Sequence, residues 1–200
     1  MSLLGLNVVF DVLLSVFDIR VLLTDPTAGG YDPAVFGPLD LDLTYSIAFT
    51  LYVATGIVFI VWFHRLRRNA GVWAGDLQSR GPGWAIGGWF IPIGNLWIPR
   101  GIAVDIWRAS RLAPYAADGK SELTLLNSWW GFWVAGTVVD RIAARLYSNA
   151  YTADAYVTAA SWSFVGYALD IAAAVLAIRF VPRLTSMQHA KATGVLPAAR

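Results

Sequence analysis

GWAIGGWFIPIGNLWIPR, residues 83–100, is apolar enough for a membrane, yet Pro92, Gly94 and Asn95 break it near its middle. Trp84, Trp89 and Trp97 punctuate it, and Arg80 and Arg100 bracket it. It crosses a bilayer, dips into one or lies along one, and that choice sets the topology of everything that follows. Proline removes an amide donor and kinks a helix, so an uninterrupted helix through 92–95 is disfavoured. Non-helical backbone at membrane depth must be shielded by protein or face water, because lipid cannot satisfy its amides.

The rest of the chain supplies the membrane context. Apolar residues make up 57% of it and charged residues only 14%, against about 25% charged in soluble domains. The ten tryptophans point the same way, since amphipathic rings collect at the bilayer–water boundary. There is no cysteine, which excludes disulfides, thiolate metal sites and cysteine nucleophiles. The opening MSLLGLNVVFDVLLSVFDIR has no basic residue before Arg20, and Asp11 interrupts its apolar run. It therefore reads as a retained segment rather than a secretory signal.

The expected fold is an all-α integral membrane protein, a four-span helical bundle with spans near 3–23, 43–63, 125–147 and 157–178. Residues 43–63 carry no charge. In 3–23 the residues Asn7, Asp11, Ser15 and Asp18 fall on one helix face, a polar stripe suited to a protein neighbour; an interfacial helix is the alternative. Domain 1–181 is expected to be one transmembrane unit, and 182–200 a mobile cytoplasmic tail.

Basic residues mark cytoplasmic loops. The linker 24–42 has Asp25, Asp32, Asp40 and Asp42 and no Lys or Arg, and 148–156 also lacks basic residues; both belong outside. His64, Arg65, Arg67 and Arg68 open the next linker, Arg100, Arg108, Arg111 and Lys120 occupy 100–122, and Arg179, Arg183, Lys191 and Arg200 lie at the end; all belong inside. Every loop obeys the rule if 83–99 forms a re-entrant or interfacial hairpin between spans two and three. Crossing there would give five spans and invert each later loop. Residues 101–112 alternate Ile102, Ile106 and Ala109 with Asp105, Arg108 and Arg111, the pattern of an interfacial amphipathic helix. Plasma-membrane localisation with both termini cytoplasmic follows.

WFHRLRRNA, PGWAIGGWFIPIGNLWIPRGIAVDIWRAS and NSWWGFW together resemble a family of actinobacterial membrane proteins known as domain of unknown function 4328. The carrying features are Arg68-Asn69, the hairpin with Pro92, Asn95, Trp97 and Pro99, then Trp107-Arg108 and Trp129-Trp130. The resemblance covers most of 60–135 and implies a bacterial plasma-membrane location, with no activity attached.

Ionisable residues inside spans are costly and suggest function by default. Depth counted from the span ends puts Asp11 and Asp170 at a common level, where two carboxyl groups can share a proton. Trp162, Gly166 and Asp170 share a face, and Trp129, Trp133, Gly136 and Asp140 nearly do. An acid among indoles suggests protonation of an isoprenoid-like alkene, with Asp11, Asp140 and Asp170 as candidate acids; helix packing is the plainer reading. A second layer contains Asp18, Arg20, Asp140, Arg141 and Arg145, suited to an Asp18–Arg141 pair or an anion site. Candidate ligand contacts are Trp129, Trp133, Trp162, Trp89, Trp97, Asn95, Arg141 and Arg145.

His64 and His189 do not form a metal or haem pattern, no cofactor is expected, and nothing points to nucleic acid. Expected partners are the bilayer and a membrane protein or hydrophobic small molecule. Three functions remain open. The first is a non-catalytic membrane protein binding a partner or lipid through the hairpin. The second is a membrane-embedded enzyme, and the third is a transporter or channel subunit.

Overall fold

The computed structural model describes residues 41–194, and every regular element among them is helical. Five α-helices follow in order: α1 (Leu41–Trp73), α2 (Trp84–Gly87), α3 (Ile98–Ser110), α4 (Thr124–Ser148) and α5 (Ala153–Thr193). Single 3-10 turns occupy Gly75–Leu77 and Gly94–Leu96. The expected span at 3–23, with Asp11, Asp18 and Arg20, lies outside the described residues.

Two of the described helices are long and apolar enough to cross a membrane, within Phe49–Trp73 and Ala153–Thr193. Only 11% of the apolar window of the first and 22% of that of the second are buried in the protein. An apolar helix of a soluble core would be mostly covered; these present Phe49, Ile57, Val58, Phe164 and Val165 outward. The 25-residue α4 is diluted by Asn127, Asp140, Arg141 and Arg145 and does not reach the same hydropathy. At 33 and 41 residues, α1 and α5 exceed the ~20 residues that cross a hydrocarbon core.

The described residues fall into two compact units, 41–54 with 131–175, and 55–130 with 176–194. The sequence shows no break at these points because α1, α4 and α5 run through them, hence the expectation of one domain. The second unit holds eleven Lys and Arg against four Asp and Glu.

Its core is aromatic. The Phe180 ring is stacked between Trp129, 4.9 Å away, and Trp107, 6.3 Å away, so one side chain joins α3, α4 and α5. Phe59 of α1 meets Trp129 at 5.6 Å in a tilted contact, Trp89 packs edge-on against Phe59 and Phe63, and Trp130 meets Trp89 at 5.9 Å.

Two expectations are corrected here. Helix α3 turns its apolar side, Ile102, Ile106, Trp107 and Ala109, inward, so that face is occupied by protein rather than lying on lipid. Residues 182–193 are packed helix, not a mobile tail: α5 passes through Pro182 and buries Leu184 and Gln188. Gln188 Nε2 donates to the Leu66 carbonyl and to Ser110 Oγ, and its Oε1 accepts from Asn69. Lys191 Nζ donates to the Ala109 and Arg111 carbonyls at 2.8 and 2.7 Å, satisfying the acceptors left free where α3 ends. Phe180, Leu184, Gln188 and Lys191 share a helix face, and these contacts offset what Pro182 removes.

Candidate functional site

Residues 83–99 fold back on themselves. Gly81, Pro82 and Gly83 lead into the single turn of α2, where the Gly87 and Gly88 amides bond to Gly83 and Trp84. The chain then reverses through Pro92 and Gly94 and enters α3. Both limbs close on Ile98: a Cβ on Gly88 would lie 2.7 Å from Ile98 Cγ2, and one on Gly94 3.0 Å from Cδ1. Trp130 Nε1 donates to the Leu96 carbonyl at 3.1 Å, and His64 Nδ1 lies 3.1 Å from the Pro82 carbonyl. The Arg67 guanidinium donates to the Arg80 carbonyl.

At the reversal, Ile93 has φ 64° and ψ −48°, and the Gly94 amide bonds back to the Pro92 carbonyl at 2.6 Å. This is a γ-turn of the rare, strained hand. A β-branched residue at positive φ costs about 1–3 kcal/mol. Its side chain does not recover that cost by burial, because Ile93 is 67% exposed. Phe90 is 71% exposed and Trp97 56%, with Trp84, Ile86 and Ile91 also exposed. The hairpin thus has an inner side of Ala85, Gly88, Gly94 and Ile98 and an outer side of large apolar groups.

The loop after α3 is held by ion pairs. Arg108 Nη2 lies 2.6 Å from Asp118, and Arg111 reaches Asp118 at 3.3 Å and Glu122 at 3.0 Å. The hydrogen bond from Arg108 holds the Asp118 carboxyl below its ordinary range, and raises Arg108 in return. Tyr115 donates to Asp76 at 2.9 Å, which raises the phenol.

In the other unit, α4 and α5 meet through two Gly-x-x-x-Asp segments. A Cβ on Gly136 would collide with Asp170 Oδ1, and one on Gly166 with Asp140 Oδ1. Each carboxyl therefore lies over the glycine of the opposite helix. Because 136 pairs with 170 and 140 with 166, the helices run antiparallel. The two carboxyl groups therefore meet at the crossing of the two helices. Asp140 thus joins Asp170 rather than a separate layer, a correction to the depth count. That count took a span end near 178, whereas α5 continues to Thr193.

The other sequence candidates are distributed differently. Trp89 and Trp129 belong to the aromatic core. Trp133 and Asn95 are half-buried, and Trp162 is 39% exposed. Arg141 and Arg145 line an open groove along α4 with Val138 and Ser148. A second shallow groove lies between Trp107, Glu122 and Arg183; neither groove is lined by Asp140 or Asp170. Phe180 and Gln188 were not candidates from sequence, because both contacts are set by residues more than 50 positions away.

The sequence model described as Domain of unknown function (DUF4328) matches residues 42–186. No curated protein matches, and no solved structure matches.

Proposed function

Since the chain belongs to the family described as domain of unknown function DUF4328, we propose from its own geometry that it is a non-catalytic lipid-binding protein of the plasma membrane. Its hairpin, residues 83–99, enters the cytoplasmic leaflet and returns, between spans two and three of four, with both termini inside. The observation that carries this reading is Ile93, a β-branched side chain kept at a strained γ-turn and pointed outward. Strain of this kind persists where the surroundings require it, and an exposed apolar patch marks a protein or membrane contact. The inner side of the hairpin gives its reversed backbone protein cover, as membrane depth demands. The excess of Lys and Arg in 55–130 and 176–194 favours the cytoplasmic side for that unit.

Cysteine labelling tests the topology in a chain with no thiol of its own. Tyr151→Cys is expected to react with an impermeant maleimide in intact cells, and Lys120→Cys only after permeabilisation. Labelling of Lys120→Cys in intact cells would mean that the hairpin crosses, and would overturn the reading.

A second reading, acid chemistry on a hydrophobic substrate, is favoured by the two carboxyl groups, Asp140 and Asp170, that α4 and α5 bring together. It ranks below the first because neither groove described above contains those carboxyl groups.

A further inference from the structure

The outer side of the hairpin is apolar, but its two ends are cationic, and that combination specifies a kind of lipid. Residues 77–104 contain no Asp or Glu. Arg80 opens this stretch and Arg100 lies near its end. The Arg80 backbone is held by Arg67, and its Nη1 lies 3.8 Å from where a Cβ on Gly101 would sit. That brings the Arg80 guanidinium against the first turn of α3. The Arg100 guanidinium is oriented by Asn127 Oδ1, which accepts from Nε at 3.1 Å and from Nη2 at 2.7 Å. Asn127 is neutral, so the charge of Arg100 is positioned without being cancelled. The ion pairs among the described residues involve Arg108 and Arg111 and leave Arg80 and Arg100 out.

Exposed Trp84 and Trp97 stand four and three residues from these arginines. Indole rings settle at headgroup level, and a guanidinium beside them meets phosphate oxygens in a planar, bidentate manner. We infer, building on the reading of the hairpin as membrane-inserted, that it selects anionic phospholipids, with Arg80 and Arg100 as the headgroup contacts and Phe90 and Ile93 among the acyl chains. A basic residue near an anionic leaflet strengthens lipid association by up to about five-fold, so the pair together gives an excess of at most about twenty-five-fold over a zwitterionic lipid.

The test uses the full chain with Phe90→Cys carrying a bimane, reconstituted into phosphatidylcholine vesicles. A small fraction of the lipid is replaced by acyl-spin-labelled phosphatidylcholine or, in parallel, by acyl-spin-labelled phosphatidylglycerol. Quenching by both is expected, with phosphatidylglycerol effective at a several-fold lower mole fraction, and with the difference shrinking as salt is raised. Arg80→Gln should lose part of that excess, and the double variant with Arg100→Gln the rest, while quenching by phosphatidylcholine is unchanged. Equal quenching by the two lipids would overturn the selectivity and leave the inserted hairpin standing. An excess that survives both variants would overturn the assignment to these arginines. No quenching by either lipid would overturn the hairpin reading itself, a result that would follow if a protein partner covers this face.

Discussion

Asp140 of α4 and Asp170 of α5 are placed reciprocally, each carboxyl resting on the glycine four residues before the other. The contact is reciprocal, so it fixes the register of α4 against α5 at two points. Glycine at 136 and 166 leaves the space that each carboxyl fills, and small residues allow such close approach between helices.

Gly166→Ala places a methyl group on the Asp140 carboxyl, and Gly136→Ala does the same to Asp170. Each is expected to lower stability by about 1–3 kcal/mol, the usual cost of overpacking. Thermal unfolding in detergent measures it. Asp170→Asn keeps the size and polarity of the side chain lying on Gly136 and should be nearly neutral, whereas Asp170→Leu forces a branched apolar side chain into that space and should cost about 1–3 kcal/mol. Equal stability of the Asn and Leu variants would contradict the pair.

Phe180 is fully buried between two indoles. Phe180→Ala should destabilise by about 3–5 kcal/mol, and Phe180→Leu by less. A loss of the near-ultraviolet circular dichroism of the stacked tryptophans should accompany the alanine variant.

Ile93→Gly separates shape from contact. Glycine adopts positive φ without penalty, so relief of the γ-turn should raise stability by about 1 kcal/mol or more. The same variant should weaken quenching of the Phe90 probe by spin-labelled lipid. Lower stability would mean that the exposed Ile93 side chain makes a contact within the protein after all.

The loop after α3 should respond to acid. The Asp118 carboxyl titrates below its ordinary value because Arg108 bonds to the charged form. A depressed carboxylate contributes its stabilisation above the unfolded pKa and loses it as pH falls through the folded one. A nitroxide at Lys120→Cys should therefore keep one mobility from about pH 8 to about pH 5 and loosen below about pH 4. Asp118→Asn should be loose throughout. Loosening of the native loop at neutral pH would refute the assignment.

Lys191→Met removes both hydrogen bonds to the end of α3 while keeping the stem over Trp73, whose ring centroid lies 5.6 Å from Nζ. A loss of about 1.5–3 kcal/mol is expected for bonds of this charged kind. Faster proteolysis after Arg111 would report it.

The residues of the sequence by themselves determined what depends on near neighbours. Uncharged runs made α1 and the apolar part of α5 legible, Pro92 and Gly94 announced the reversal at 83–99, and the tryptophan motifs identified the family. The tertiary structure decided what depends on residues distant in sequence. It made Trp129 a layer of an aromatic stack, brought Asp140 and Asp170 together, and folded 182–193 onto α1 and α3. Periodicity reports which side of a helix is apolar, because that follows from the 3.6-residue turn. It carries no information about register between helices, which is set by close approaches such as Gly136 on Asp170 that only the folded chain brings about.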